Sequence, residues 1–130
     1  MIARVLVVDD EPLIAMSIQA FLEDEGMLVQ SVSSAEDALD LVQSGSGFDV
    51  CVIDMRLPGM DGNAAIRALH GTCPALRYLV YTGSANYVIP AELQAMTDRE
   101  IPLLRKPLFD MNMLVTRVRD LAEVQSGLSL

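Results

Sequence analysis

Residues 50–53 form an uninterrupted apolar run, Val-Cys-Val-Ile, that ends on the carboxylate of Asp54. A segment dense in turn residues, 57–62, follows closely. A short apolar run bounded by turn signals is typical of a strand that is buried on both faces of a parallel sheet. In open α/β sheets, ligands bind just beyond the carboxyl ends of such strands. We therefore expect Asp54 to lie at the mouth of a site.

Four further apolar segments predict strands, and a helical pattern follows each of the five. Strands alternating with helices predict βα units around a parallel sheet with right-handed crossovers. The expected fold is a doubly wound, five-stranded parallel sheet of flavodoxin-like type, with strand order 2-1-3-4-5 and helices on both faces. The other predicted strands are 4–8, 27–32, 77–81 and 101–104; the first helix is predicted at 12–25, the third at 63–70 and a short fourth within 90–96.

The first predicted helix shows how these boundaries are assigned. Pro12 suits the first helical position, where its missing N–H costs nothing, and Gly26 is a natural stop. Between them, apolar residues recur at helical spacing, which predicts one buried face. The residues assigned to that face are Leu13, Ile14, Ile18, Phe21 and Leu22.

Composition excludes several classes of protein. The 130 residues suffice for one domain with a real core, and no run approaches the ~20 apolar residues that a membrane-spanning helix needs. Nine Lys and Arg against eighteen Asp and Glu give a net charge of −9, the wrong sign for a nucleic-acid binder. Two cysteines are too few for a disulfide framework, and the early first strand leaves no room for a signal peptide. A cytoplasmic location is expected.

Acidic residues also end the first predicted strand. Asp9 and Asp10 follow residues 4–8 directly, and the expected strand order places this strand beside the one that ends on Asp54. Three converging carboxylates repel one another and raise one another's pKa values unless a cation lies among them. Mg²⁺ suits a site with few protein ligands and several waters, so a magnesium site is predicted here.

The remaining two strands contribute a hydroxyl and an ammonium to the same edge of the sheet. Thr82 ends the fourth predicted strand, and Lys106 follows the fifth. A carboxylate nucleophile, a metal, a hydroxyl donor and a lysine are the groups that phosphoryl transfer requires. Taken singly, each residue has a simpler explanation: Asp10 or Glu11 could cap the helix that starts at Pro12, and Lys106-Pro107 could be a turn. Together, at adjacent strand ends, they indicate one site.

These motifs resemble the receiver domain of two-component response regulators. The residues that carry the resemblance lie at four predicted strand ends, in the family's order and spacing. The match spans about residues 2–124 and leaves 125–130 as a C-terminal tail. The motifs are Asp9-Asp10-Glu11-Pro12, Asp54 with residues 57–62, Thr82-Gly83, and Lys106-Pro107.

The resemblance implies that Asp54 accepts a phosphoryl group from a histidine kinase or a phosphotransfer protein. It implies that Asp10 and Asp54 bind Mg²⁺ directly and that Asp9 acts through water. The backbone carbonyl of Arg56 would complete the metal's protein ligands. The expected protein is a signalling switch with at most slow self-phosphorylation and self-dephosphorylation, not an enzyme.

The resemblance also assigns the other two strand ends and the partner surface. Thr82 and Lys106 would bind phosphoryl oxygens, and Lys106-Pro107 would be a cis peptide. The face built from helix 4, strand 5 and helix 5 would bind an unknown downstream protein, with no direct contact to nucleic acid or membrane.

One position departs from the family's pattern and leaves alternatives open. Receivers usually carry Tyr or Phe three residues before the lysine, where this chain has Leu103. The departure is compatible with a degenerate receiver that binds partners without phosphorylation, although the acidic pair, Thr82 and Lys106 argue against it. A metal-dependent phosphohydrolase with an aspartyl nucleophile would want a second Asp two residues after Asp54, and that position is Arg56.

Overall fold

The computed structural model describes the backbone of residues 2–127 and the side chains up to residue 122. All strand pairs are parallel, and the order β2-β1-β3-β4-β5 confirms the predicted topology. The strands are β1 (Arg4–Val8), β2 (Leu28–Val32), β3 (Val50–Ile53), β4 (Arg77–Thr82) and β5 (Leu103–Arg105). The helices are α1 (Pro12–Asp24), α2 (Ala35–Gln43), α3 (Gly62–Thr72), α4 (Ala91–Met96) and α5 (Asn112–Gly127).

The end of α5 bears on the predicted tail. The helix continues through residues 125–127, the first three residues of that segment. Residues 128–130 lie outside the described residues.

Helices cover both faces of the sheet and create two core layers. Alternate residues of a strand point to opposite faces, so Val5 and Val7 pack in the layer under α1 and α5, while Leu6 and Val8 pack in the layer under α2 and α3. Every residue of β3 is buried, as its apolar run predicts. The central strands are therefore held rigidly, and their carboxyl ends form a fixed edge.

The buried face of α1 differs from the predicted one. Its buried residues are Ala15, Ile18 and Leu22, whereas Leu13 is 80% exposed and Phe21 is 42% exposed. The reason is geometric: α1 lies over only part of the sheet, and a narrow stripe at spacing i, i+3, i+7 is enough to fill that contact. Despite these exposed apolar residues, no helix in the described part of the chain is long and apolar enough to cross a membrane.

The turn after Asp54 is held by a close approach at Gly62. The Gly62 N–H donates to the Met55 carbonyl at 3.1 Å, and a Cβ on Gly62 would lie 2.7 Å from the Met55 Cα. Only glycine fits this distance. Asp61 then caps α3, its carboxylate accepting from the Ala64 N–H at 2.9 Å. The loop that leaves the site is thus closed back against it.

A buried arginine ties the opposite end of the sheet together. The Arg77 guanidinium donates two hydrogen bonds to the Asp98 carboxylate, at 3.2 and 2.8 Å, and one to the Leu121 carbonyl at 3.0 Å. These bonds hold the pKa of Asp98 below its ordinary value. Arg77 therefore joins β4, the segment before β5, and α5 far from the Asp54 edge.

Candidate functional site

Pairing between β1 and β3 brings Asp9 and Asp54 to the same edge of the sheet. Val8 lies opposite Ile53 in the parallel register, so the residue after each strand emerges beside the other. The Asp54 N–H extends this pairing by donating to the Val8 carbonyl at 3.0 Å. Both carboxylates are buried, with Asp9 3% and Asp54 5% exposed. The predicted convergence of these two residues is confirmed.

Lys106 lies among the carboxylates. Its backbone N–H donates to the Thr82 carbonyl at 2.9 Å, which extends the β4–β5 pairing by one residue and aims the side chain across the edge. The ammonium lies 2.8 Å from Asp9 Oδ2, 2.9 Å from Glu11 Oε2 and 3.1 Å from Asp54 Oδ2. Three carboxylates therefore share one cation.

This sharing leaves the site with excess negative charge. Oxygens of Asp9, Glu11 and Asp54 all lie within 4.8 Å of one another, a spacing suited to a metal ion. Burial raises the pKa of Asp9, with the nearby Asp54 acting in the same direction, although the Lys106 hydrogen bond opposes the shift. Burial alone would lower the pKa of Lys106, but its three carboxylate partners outweigh burial and raise it. The site favours bound positive charge.

Glu11 is a site residue for which the sequence suggested no role beyond a possible helix cap, although it lies in the acidic motif of residues 9–12. It occupies the position before α1, but its side chain makes no capping hydrogen bond and instead reaches Lys106. Its N–H donates to Asp9 Oδ1 at 2.9 Å, which fixes the turn. The sequence signal for this role was the run of three consecutive acidic residues at positions 9–11. The direction of each side chain is set by the turn and was not readable from the sequence.

Asp10 lies apart from this cluster. It is exposed and lines a groove of about 580 Å³ between α1 and α2, together with Gln30, Asp37 and Asp40. The structure brings Glu11, not Asp10, within reach of Asp9, Asp54 and Lys106. The expectation that Asp10 binds a metal directly stays a prediction.

The other predicted residues lie at or near the same edge of the sheet. Thr82 is fully buried at the end of β4, and its Oγ1 accepts from the Ser84 N–H at 3.3 Å. Arg56 is exposed, and its N–H donates to Asp54 Oδ1 at 3.3 Å. The Lys106-Pro107 bond is cis, as the resemblance implied. Leu103, at the position of the usual aromatic, is half-buried.

Comparison with known proteins places this arrangement in a family context. The model of the response regulator receiver domain matches residues 5–119. The chain is 32% identical over 124 residues to the sensor kinase CckA of Brucella abortus, covering 95% of this chain and 13% of that protein. It is 32% identical over 122 residues to the C4-dicarboxylate transport regulator DctD of Pseudomonas aeruginosa, covering 94% and 26%. The chain thus spans about a quarter or less of these relatives.

Solved structures give the same result over whole chains. A receiver domain from Clostridium thermocellum superposes with a TM-score of 0.80 at 26% identity, covering 98% of this chain and 99% of that one. The response regulator TrrA of Thermotoga maritima, solved in complex with Mg²⁺-BeF, superposes with a TM-score of 0.78 at 25% identity, covering 92% and 99%. Both structures share the fold and the extent of this chain.

Proposed function

The chain belongs to the response regulator receiver family, and we propose that Asp54 is the residue through which it acts as a phosphoacceptor switch. An acidic pocket of Asp9, Glu11 and Asp54 bridged by Lys106 is typical of phosphoacceptor response regulators. The observation that carries the assignment to Asp54 is its burial at the carboxyl edge within 3.1 Å of the Lys106 ammonium. A buried carboxylate beside a buried cation is placed to attack an anionic group that the cation attracts.

Receiver domains are phosphorylated by histidine kinases, which defines the donor chemistry. An Asp54 carboxylate oxygen attacks the phosphorus of a phosphohistidine. The O–P bond forms as the P–N bond breaks, and the electron pair stays on the imidazole, which takes up a proton. Lys106 donates to a phosphoryl oxygen, and the Thr82 hydroxyl donates to another. These contacts offset charge on the transferred group without covalent participation.

The site fits a divalent cation. Three carboxylate oxygens lie within 4.8 Å of one another, and the similar protein TrrA was solved with Mg²⁺-BeF. Asp9 and Asp54, with Glu11 or Asp10 and the Arg56 carbonyl, would hold Mg²⁺, and the ion would offset negative charge on the phosphoryl group. With that ion bound, Asp9 and Asp54 would need the Lys106 ammonium less, and Lys106 would be available to the phosphoryl group.

The proposed role is that of a switch without turnover of a small substrate. Phosphorylation adds charge at Asp54 and biases the surrounding loops, which changes the face formed by α4, β5 and α5. A downstream protein that reads this face is the proposed output partner.

The test is phosphorylation by a small phosphoryl donor with Mg²⁺, read by intact mass. Wild type should gain one phosphate, and Asp54→Asn should gain none. Asp40→Asn, which removes an exposed carboxylate from α2, is the matched control and should behave as wild type. An equal adduct on Asp54→Asn would show that another residue is the acceptor.

A further inference from the structure

The loop that follows Thr82 is tied to two neighbouring elements by side chains. From β5, the Arg105 guanidinium donates to the Ser84 carbonyl at 2.5 Å and to the Tyr87 carbonyl at 2.9 Å. The Tyr87 hydroxyl donates to Asn63 Oδ1 in α3 at 2.6 Å. Residues 84–87 are therefore held between α3 and β5, although they form neither a helix nor a strand.

The two Arg105 bonds fix the shape of one turn. The Tyr87 N–H lies 3.5 Å from the Ser84 carbonyl, so the same oxygen closes the turn and accepts from the guanidinium. A guanidinium is a planar fork with several donors and stays charged at any pH a protein tolerates. One such group can hold two carbonyls three residues apart, because its donors lie in a fixed plane and two of them reach both oxygens at once.

This turn also contacts the hydroxyl of Thr82. The Ser84 N–H donates to Thr82 Oγ1 at 3.3 Å, and Ser84 is also the residue whose carbonyl Arg105 holds. Thr82 and Arg105 lie opposite each other in the β4–β5 register, and the next residue after Arg105 is Lys106. Successive side chains of a strand point in opposite directions, so Lys106 points into the site and Arg105 points toward the loop that it binds.

We propose that Arg105 is a positioning residue that holds the Ser84–Tyr87 turn and, through the Ser84 N–H, keeps the Thr82 hydroxyl in its unphosphorylated arrangement. The inference rests on the proposed function at Asp54. A phosphoryl group on Asp54 would draw the Thr82 hydroxyl toward it and away from the Ser84 N–H. The Arg105 bonds exist in the free protein and are lost when the turn follows Thr82. An interaction that exists only in the free state opposes ligand binding by the free energy that is lost when it breaks.

The first experimental arm measures the turn itself in the free protein. Hydrogen exchange at the amides of residues 84–87 is compared in wild type, Arg105→Ala and Arg117→Ala. Arg117 is an exposed arginine of α5 whose side chain makes no hydrogen bond or ion pair in the described part of the chain, so its variant matches the charge change. We expect exchange in Arg105→Ala to rise roughly tenfold. Unchanged exchange would overturn the inference.

The second arm measures the coupling to the site. Beryllofluoride with Mg²⁺ is titrated into the three proteins as a phosphoryl mimic. Arg105→Ala should bind it roughly threefold to tenfold more tightly than wild type and Arg117→Ala, because the interaction that opposed binding is gone. General damage to the fold would weaken binding instead, so equal or weaker binding by Arg105→Ala overturns the positioning role.

The two arms also separate this inference from the proposed function. If wild type neither binds the mimic nor takes a phosphoryl group at Asp54, the proposed function fails and the coupling of Arg105 to it fails as well. The exchange arm, which uses the free protein alone, still decides whether Arg105 holds the turn.

Discussion

Replacing Lys106 by methionine removes the ammonium that Asp9, Glu11 and Asp54 share, at nearly constant side-chain length. The lysine side chain is 9% exposed, and those of Asp9 and Asp54 are 2% and 5% exposed, so water replaces little of the lost interaction. Breaking a buried ion pair from one side leaves an uncompensated charge and costs about 3–5 kcal/mol. The half-exposed Glu11 can turn to solvent, which favours the lower figure of about 3 kcal/mol.

Urea unfolding at pH 7 without Mg²⁺ measures this effect. With a slope of about 1.5 kcal/mol per molar urea, a loss of about 3 kcal/mol lowers the midpoint by roughly 2 M. Arg117→Met is the control, because it makes the same kind of exchange on the exposed face of α5 and should change stability by less than about 0.5 kcal/mol.

Two further conditions identify the cause of the loss. Mg²⁺, which we propose binds the carboxylates of the folded protein, should restore part of the lost stability to the variant. Acid should also narrow the difference in stability between wild type and the variant. Burial raises the folded pKa of Asp9 and the Lys106 hydrogen bond opposes that shift, so removing Lys106 should raise the pKa further. A carboxylate with a raised folded pKa destabilises the fold at high pH, and this penalty disappears as the pH falls toward the ordinary pKa of about 4. The reasoning would be refuted by a midpoint change below about 0.5 M. It would also be refuted if the difference in stability between wild type and variant did not change with Mg²⁺ or with pH between about 7 and 4.5.

Four other outcomes are expected. Asp10→Asn should leave the protein without Mg²⁺ no less stable in thermal melts, yet reduce the Mg²⁺-dependent rise in Tm; a full rise would show that Asp10 is not a ligand. Arg56→Ala should change the decay rate of the phosphorylated form, since the exposed Arg56 side chain lies two residues beyond Asp54 and can shield the phosphoryl group from water. An unchanged rate would show that Arg56 has no such role. Gly62→Ala should lower the free energy of unfolding by about 1–3 kcal/mol in urea, because backbone must move to admit the Cβ. Amide chemical shifts on adding a phosphoryl mimic should change strongly at residues 83–88 and little at Leu103; the reverse pattern would place the switch on β5.

The fold and most of the site were predictable because they depend on local pattern and on one general property of parallel sheets. The apolar run of β3 had to be buried, and its end therefore placed Asp54 at the sheet's edge. Parallel strands bring all their carboxyl ends to that edge, so Asp9, Thr82 and Lys106 were assigned to it from their positions in the sequence alone.

The family resemblance supplied what pattern could not. It named a histidine kinase or phosphotransfer protein as the phosphoryl donor, and it assigned the cis Lys106-Pro107 bond that the structure contains. Strand ends with polar residues predict a site but do not name its substrate.

Only the tertiary structure decided which side chains meet. Glu11, not Asp10, reaches Lys106, because the conformation of one turn orients neighbouring acidic side chains in different directions. The burial of Leu13 was mispredicted for a related reason: helical spacing defines a face, but the width of the contact depends on what the helix covers.

The contacts between residues far apart in the sequence were the hardest to predict. Arg77 joins residues 21 and 44 positions away, and Arg105 holds carbonyls 18 and 21 positions before it. An arginine in a sequence shows a charge and five donors, but its partners are backbone carbonyls and a carboxylate that only the folded chain brings near. Such bonds depend on three-dimensional direction, whereas the strand and helix patterns depend on the spacing of residues along the chain.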